Sequence, residues 1–358
     1  MAMQMAGAGR SAEERPQDVV FLLCPGLSML AFASAIEPLR QANRVTRRVL
    51  YRWQLVSETG RPIACSNGAE IGVDGALADV RRGTLVIVCA GIDLLGATTK
   101  PMLTWLRRQA RLGARLGGVC TGAHVLAKAG LLDGKRATIH WENHSAFAEE
   151  FPEVQLSNLL YCVEDSAVTC AGGTAACDMM LYLIGEAQGP DLASLVADRL
   201  IHTPVRSASD EQRLSVPARI GVRHPKLVQV IQTMEQATED PISPAELAKS
   251  VNMSTRQLER LFRRYLNRSP KRYYMELRLE KARSLLLQTD MSVINVALAC
   301  GFTSPSHFSK CYRAHFERTP YRERGSPAAK PSGGGHPGDP ADEQPGAALG
   351  GLGDEQQV

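Results

Sequence analysis

The feature that most constrains this chain is an internal repeat between residues 243 and 320. The run from Ser243, SPAELAKSVNMSTRQLERLFRRYLNRSP, aligns with the run from Ser292, SVINVALACGFTSPSHFSKCYRAHFERTP. The offset is 49 residues up to the pair Met253/Phe302 and 50 from the pair Ser254/Ser304 onward. Ala248 answers Ala297, Leu258 answers Phe308, Arg260 answers Lys310, Phe262 answers Tyr312 and Pro270 answers Pro320. Such self-similarity marks one supersecondary unit used twice. Each copy reads as a helix-turn-helix. A short helix carries a small residue where a second helix crosses closely, and a tight turn follows (Val251-Asn252-Met253; Cys300-Gly301-Phe302). The second helix opens on a cap: Ser254 with Gln257 is a capping box, and Ser304 before Pro305 is an N-cap followed by proline at the first helical position.

Apolar residues at the fourth, eighth and twelfth positions after each serine form a buried stripe. The opposite face then carries Arg256, Glu259, Arg260 and Arg263 in the first copy, and Ser306, His307, Ser309 and Lys310 in the second. Side chains in the first half of such a helix read base edges in a DNA major groove, while Lys and Arg further along hold phosphates. A connecting helix over about residues 270–288 would fix the two units for successive major-groove segments. Charge agrees with double-stranded DNA as a partner. Residues 221–325 hold 18 basic and 10 acidic side chains, residues 1–220 hold 22 of each, and residues 326–358 hold one lysine and five acids. A local excess of +8 on the repeat is the footprint of a polyanion site.

The first two hundred residues have a different grammar. VVFLLC (19–24), Trp53–Ser57, LVIVC (85–89), Arg115–Val119 and Val168–Ala171 are short and apolar throughout, as strands buried on both faces are. Stretches of helical length lie between them, at Ser28–Gln41, Thr98–Leu112, Gly122–Ala129 and Thr174–Ala187. Alternation of this kind predicts an α/β sandwich, flavodoxin-like with a mostly parallel sheet, followed by an all-α double helix-turn-helix part. The expected division is a disordered stretch over 1–16, a first domain over 17–204, a polar linker over 205–222, a second domain over 223–325 and a disordered acidic tail over 326–358. The longest apolar run is too short to cross a bilayer, and the N-terminus lacks the apolar core of a secretory signal. Nine cysteines without paired spacing argue against a disulfide framework and for the cytoplasm. No cofactor and no metal are expected, because no Cys/His cluster has ligand spacing.

The sharpest motif in the first domain is Gly118-Val119-Cys120-Thr121-Gly122, between an expected strand and an expected helix. This is a nucleophile-elbow arrangement with cysteine at its apex. The helix N-terminus beneath it would lower the thiol pKa, and His124 and His140 are candidate bases, with Glu37 as an acidic neighbour. Taken alone, the motif suggests a Cys120-dependent hydrolase or hydratase.

Two resemblances bear on these readings. The segment from Gly301 to Arg324, GFTSPSHFSKCYRAHFERTPYRER, closely resembles the C-terminal signature of AraC-type transcription regulators, and the likeness extends over about residues 222–325. It implies a two-motif DNA-binding domain joined to a sensory one, with Arg256, Glu259 and Arg260 reading bases in one half, and Ser306, His307, Ser309 and Lys310 in the other. The run GVCTGAHVLAKAGLLDGKRATIHW resembles the class I glutamine-amidotransferase-like (PfpI-like) superfamily, in the branch fused to AraC-type domains, over about residues 18–200. Protease-like members have histidine where Thr121 stands, and hydratase-like members have aspartate where Ala31 stands, whereas Glu37 is retained. An elbow without its usual base and acid implies a vestigial Cys120 and a pocket reused for sensing.

By analogy with open α/β sheets, the ligand would sit at the carboxyl ends of the strands. That location gathers Ser28, Met29 and Phe32 after the first strand, with Glu37 on the following helix. Gly91 and Ile92, the Cys120-Thr121 elbow, and His140, Trp141 and Asn143 complete it. A tryptophan face attracts a cation and backbone N–H groups at a helix start suit a carboxylate, which together fit a zwitterion bearing a quaternary ammonium. The runs FLLCPGLSMLAFASAIEPLRQANR and HWENHSAFAEEFP resemble regulators of glycine betaine, carnitine and arginine catabolism. That likeness implies a small-molecule effector, an activator working with RNA polymerase, and a homodimer.

Overall fold

In the computed structural model, residues 15–324 are described except 95 and 214. The expectations for residues 1–14 and 326–358 fall outside the described residues. Ten strands lie among the described residues: β1 (Gln17–Leu23), β2 (Tyr51–Val56), β3 (Ile63–Ala64), β4 (Glu70–Ile71), β5 (Leu85–Cys89), β6 (Arg115–Val119), β7 (Arg136–Ala137), β8 (Gln155–Leu156), β9 (Tyr161–Val163) and β10 (Ala167–Cys170). Six of them form one sheet in the order β2-β1-β5-β6-β10-β9, parallel except for the edge pair β10–β9. The five expected strands are all there, shifted by at most two residues at either end. The antiparallel edge strand β9 and the two-residue pairs β3–β4 and β7–β8 are additions, too short to leave a periodic signal.

Helices cover both faces of this sheet, which explains the continuous apolar runs. Val19, Phe21 and Leu23 of β1 enter one core, and Val20 and Leu22 enter the other. The first core packs under α1 (Met29–Thr46) and, later in the chain, α5 (Ala175–Gln188) and α6 (Pro190–Arg199); the second packs under α2 (Lys100–Arg111) and α3 (Gly122–Lys128). Between α3 and α5 lies α4 (His144–Glu150). Ser28 caps α1 by accepting from the Ala31 N–H at 3.3 Å, so the expected helix start becomes its N-cap.

After α6 the described residues contain no strand. Short α7 (Val216–Ile220) and α8 (Pro225–Gln236) lead into α9 (Pro244–Ser250) and α10 (Thr255–Leu266). The long α11 (Pro270–Gln288) follows, then α12 (Val293–Ala299), α13 (Pro305–Phe316) and α14 (Pro320–Arg324). The repeat is geometric as well as textual. The pattern of buried and exposed residues over 261–270 is the same, position for position, as over 311–320. Asn252 and Gly301 occupy the same left-handed place in the two turns, with φ of 52° and 72°, and Asn267 and Glu317 end the two second helices at φ of 52° and 58°. Gly301 has a second constraint: a Cβ there would lie 2.5 Å from the Glu239 carbonyl oxygen. Helix α11 serves both units, placing Tyr274 in the first core and Leu279, Ala282, Leu285 and Leu286 in the second.

The described residues belong to one compact unit, and the polar stretch after α6 is tied down. The buried Asp178 carboxylate accepts from Arg206 Nε at 3.0 Å and from the Arg206 backbone N–H at 2.9 Å, and it pairs with His202 Nε2 at 2.7 Å. On the helical side, Ala146 of α4 is buried among Leu279, Ala282 and Leu286.

Candidate functional site

The second helix of each unit is built from inside outward. Leu258 and Phe262 of α10 are fully buried, as are Phe308 and Tyr312 of α13. In the second unit, Phe302, Phe308, Tyr312 and Phe316 form a ladder with successive ring centroids 5.0, 5.5 and 4.6 Å apart. This apolar stripe fixes which face looks out. Ser254 Oγ accepts from the Gln257 N–H at 3.2 Å, and Gln257 Oε1 accepts from the Ser254 N–H at 2.8 Å, completing the capping box. Ser304 caps α13 through the His307 N–H at 3.3 Å.

Arg256, Glu259, Arg260 and Arg263 are exposed on α10, and Ser306, His307 and Lys310 are exposed on α13; Ser309 is half-buried. Among the described residues none of the four cations Arg256, Arg260, Arg263 and Lys310 forms an internal ion pair, so the charge is available to a polyanion. His307 Nε2 lies 3.4 Å from Cys311 Sγ one turn further on. The turn of the second unit is clamped from α11: Arg278 donates to the carbonyls of Cys300 at 2.7 Å and Gly301 at 2.6 Å, with its guanidinium 4.2 Å from the Phe302 ring centroid. Sequence reasoning missed Arg278, because its partners lie 22 and 23 residues away on another helix.

At the carboxyl end of the sheet the elbow has its backbone geometry. Cys120 takes φ of 60°, and three glycines allow it. A Cβ on Gly118 would lie 2.6 Å from the Ala123 nitrogen, on Gly122 2.2 Å from the Val88 oxygen, and on Gly172 2.6 Å from Cys120 Cβ. Thr121 Oγ1 donates to the Gly91 carbonyl at 2.7 Å, and Gly91 bridges to Leu27, so Ser28, Gly91, Cys120 and Thr121 are drawn together. The chemistry is otherwise than the motif suggests. Burial pushes the Cys120 thiol up to about 11, with the Glu142 charge adding to the rise, and outweighs the backbone hydrogen bond at Thr121 that favours thiolate. Against the expectation of a thiol activated by the helix start, desolvation outweighs the backbone hydrogen bond that favours thiolate.

The candidate bases have other partners. His124 is buried against Phe151, with Nδ1 3.8 Å from Glu150, and His140 Nδ1 accepts from the Glu142 N–H at 3.4 Å. Burial lowers both imidazole pKa values, against the pull of Glu150 and Glu142 respectively. Glu37 is paired in a fork with Arg40. Phe32 is a core residue, edge-on to Phe21 with centroids 5.6 Å apart, and Met29 and Ile92 are exposed.

Trp141 opens a one-turn 3-10 helix over Trp141–Asn143, which leads into α4. Asn143 is buried, whereas Trp141 is 37 % exposed and does not sit in the core. Its ring already faces a cation: the Arg213 guanidinium carbon lies 4.0 Å from the ring centroid. Nothing in the local sequence signals this contact across 72 positions. Two cavities, of about 800 and 590 Å³, lie elsewhere, and neither is lined by a residue of the elbow or of the Trp141 turn. Tyr51 and Trp53 help line the larger, and Leu39, Arg115 and Met180 the smaller. Among the described residues no group of His, Cys, Asp and Glu could hold a metal, and no helix is long and apolar enough to cross a membrane.

Two outward, capped and basic helices in register, joined to an α/β part with a buried cysteine elbow, define a DNA-binding transcription regulator. Comparison with known proteins agrees. A helix-turn-helix domain family matches residues 247–326, and the DJ-1/PfpI family matches residues 18–186. The chain is 48 % identical over 322 residues to the HTH-type transcriptional regulator CdhR of Pseudomonas aeruginosa, covering 88 % of this chain and 96 % of that one. It is 45 % identical over 317 residues to the HTH-type transcriptional regulator GbdR of the same species, covering 88 % and 86 %. To the ArgR regulator, also of P. aeruginosa, it is 38 % identical over 312 residues, covering 87 % and 93 %. The chain belongs to the AraC family of transcription regulators, in the branch that carries an amino-terminal DJ-1/PfpI domain. Its relatives along nearly the whole length are transcriptional regulators.

Proposed function

We propose that this regulator activates a catabolic operon in the cytoplasm when a small zwitterion binds its α/β part. The effector carries a methylated ammonium at one end and a carboxylate at the other, as glycine betaine and carnitine do. Residues 17–204 sense it, 205–222 connect, and 223–325 engage DNA as a homodimer that recruits RNA polymerase. Arg256, Glu259 and Arg260 read bases in one half-site, with Arg263 on phosphate; Ser306, His307, Ser309 and Lys310 serve the second. The effector contacts the elbow around Ser28, Gly91, Cys120 and Thr121, and its ammonium meets Trp141.

The observation that carries the DNA reading is the pair of outward faces on α10 and α13, whose cations form no ion pair among the described residues. The test is fluorescence anisotropy of the full chain on promoter DNA selected by its own binding, titrated with salt. Arg260→Ala is expected to cost about 1–3 kcal/mol of affinity with relaxed preference at one base position. A phosphate contact would instead weaken all sequences equally and flatten the salt dependence. Affinity unchanged in both Arg260→Ala and Lys310→Ala would sink the assignment of these faces.

A further inference from the structure

Resting on the reading of Trp141 as the face for the effector's cation, we infer that Arg213 is an internal occupant of that face. An organic cation bound there displaces the segment around Arg213 and loosens the helical part from the α/β part. The guanidinium sits 4.0 Å from the Trp141 ring centroid, and the ring remains open to solvent on part of its surface. Arg213 has no carboxylate within ion-pair distance among the described residues. Burial and the neighbouring Arg219 both disfavour its charge, against Glu235 and Glu142. It is thus held by a π face, an attraction that a quaternary ammonium or a guanidinium in solution competes for in kind. Two cations cannot share one face at that distance, so occupation by the effector and by Arg213 are mutually exclusive.

The contacts on either side of Arg213 set the consequence of its displacement. Gln212 donates to Thr138 Oγ1 and to the Leu159 carbonyl, both at 2.9 Å, and these bonds with the Trp141 contact hold the segment to the α/β part at this point. Just beyond, Val216 is buried in the first helix-turn-helix core, and Arg219 makes a fork with Glu235 of α8 at 2.9 and 3.0 Å. The Trp141 turn also reaches the other unit. Ser284 of α11 donates to the Glu142 carbonyl at 3.0 Å, and Ala146 is packed in the second core. The turn therefore carries the cation face and a bond to α11, the helix that serves both DNA-binding units. An effector acting there differs in affinity between the closed and open arrangements, which is what a ligand needs in order to shift them.

The experiment uses the full chain and two probes, glycine betaine and tetramethylammonium, in calorimetric titrations of wild type, Arg213→Met and Trp141→Ala. Methionine keeps an unbranched stem over the ring and removes the charge. If the face is closed nine-tenths of the time, Arg213→Met binds about tenfold tighter than wild type, and Trp141→Ala does not bind. Hydrogen exchange is followed in parallel over residues 205–222 and 276–288. Exchange is expected to rise in wild type on adding betaine, and to be raised already in unliganded Arg213→Met. Equal affinities with unchanged exchange would overturn the displacement and leave the effector reading standing. Binding of neither probe to either Trp141-containing chain overturns the effector reading, and the displacement with it.

Discussion

The elbow and the helical repeat are the two most legible motifs of this chain, and they have met different fates. At the elbow the backbone survives in full: Cys120 keeps its left-handed φ, and Gly118, Gly122 and Gly172 keep the clearances that permit it. The side chains do not complete the motif: burial raises the thiol pKa, and His124 and His140 face other partners. In the repeat, caps, left-handed turns and buried stripe recur 49 or 50 residues apart, and the exposed faces keep a cation at Arg260/Lys310 and Arg263/Arg313 while Ser306 and Ser309 stand where the first unit has Arg256 and Glu259. The turn is set by the packing around it; the reactivity of the side chain at its apex is set by that side chain's own surroundings. Motif geometry therefore does not by itself assign a chemistry; the side-chain environment does.

The comparison would break most visibly in the repeat's own core. Phe308→Ala removes the central rung of the aromatic ladder and is expected to cost about 3–5 kcal/mol, read by urea denaturation of the full chain. A loss below about 1 kcal/mol would mean that the second unit does not depend on that stripe. A smaller effect is expected at the elbow, where Gly122→Ala drives a Cβ toward the Val88 carbonyl and should cost about 1–3 kcal/mol by overpacking. Cys120→Ala should cost less than that, because backbone clearance and not the thiol is what the turn requires. If the order is reversed, the cysteine is being kept for itself.

The smallest expected change leaves stability untouched and tests the thiol directly. With its pKa near 11, Cys120 is almost wholly protonated at pH 8, so its alkylation by iodoacetamide in the folded chain should be about a hundredfold slower than that of a free thiol. The sign is fixed by the direction of the shift: the rate climbs only as pH rises toward 11 and the thiolate forms. Rapid labelling of the Cys120 peptide at pH 7 would show an ionised nucleophile and reopen the enzymatic reading.

What the sequence determined by itself is everything carried by short-range pattern. Apolar runs such as VVFLLC and LVIVC specify strands covered on both faces, because polar and apolar alternation is absent. Ser254-x-x-Gln257 and Ser304-Pro305 specify helix starts, because a cap acts over three residues. The duplicated register specifies which side of α10 and α13 faces out. The tertiary structure alone decided how these pieces are used. Burial raised the pKa of the Cys120 thiol. Arg206 and His202 were brought to Asp178 across 28 and 24 positions, Gln212 to Thr138 across 74, and Ser284 to Glu142 across 142. The cation on Trp141 came from the chain's own Arg213. Such contacts join residues whose local sequences are individually ordinary, and their energies depend on desolvation and on which surfaces meet. Periodicity records neither, so they enter only when the chain has closed on itself.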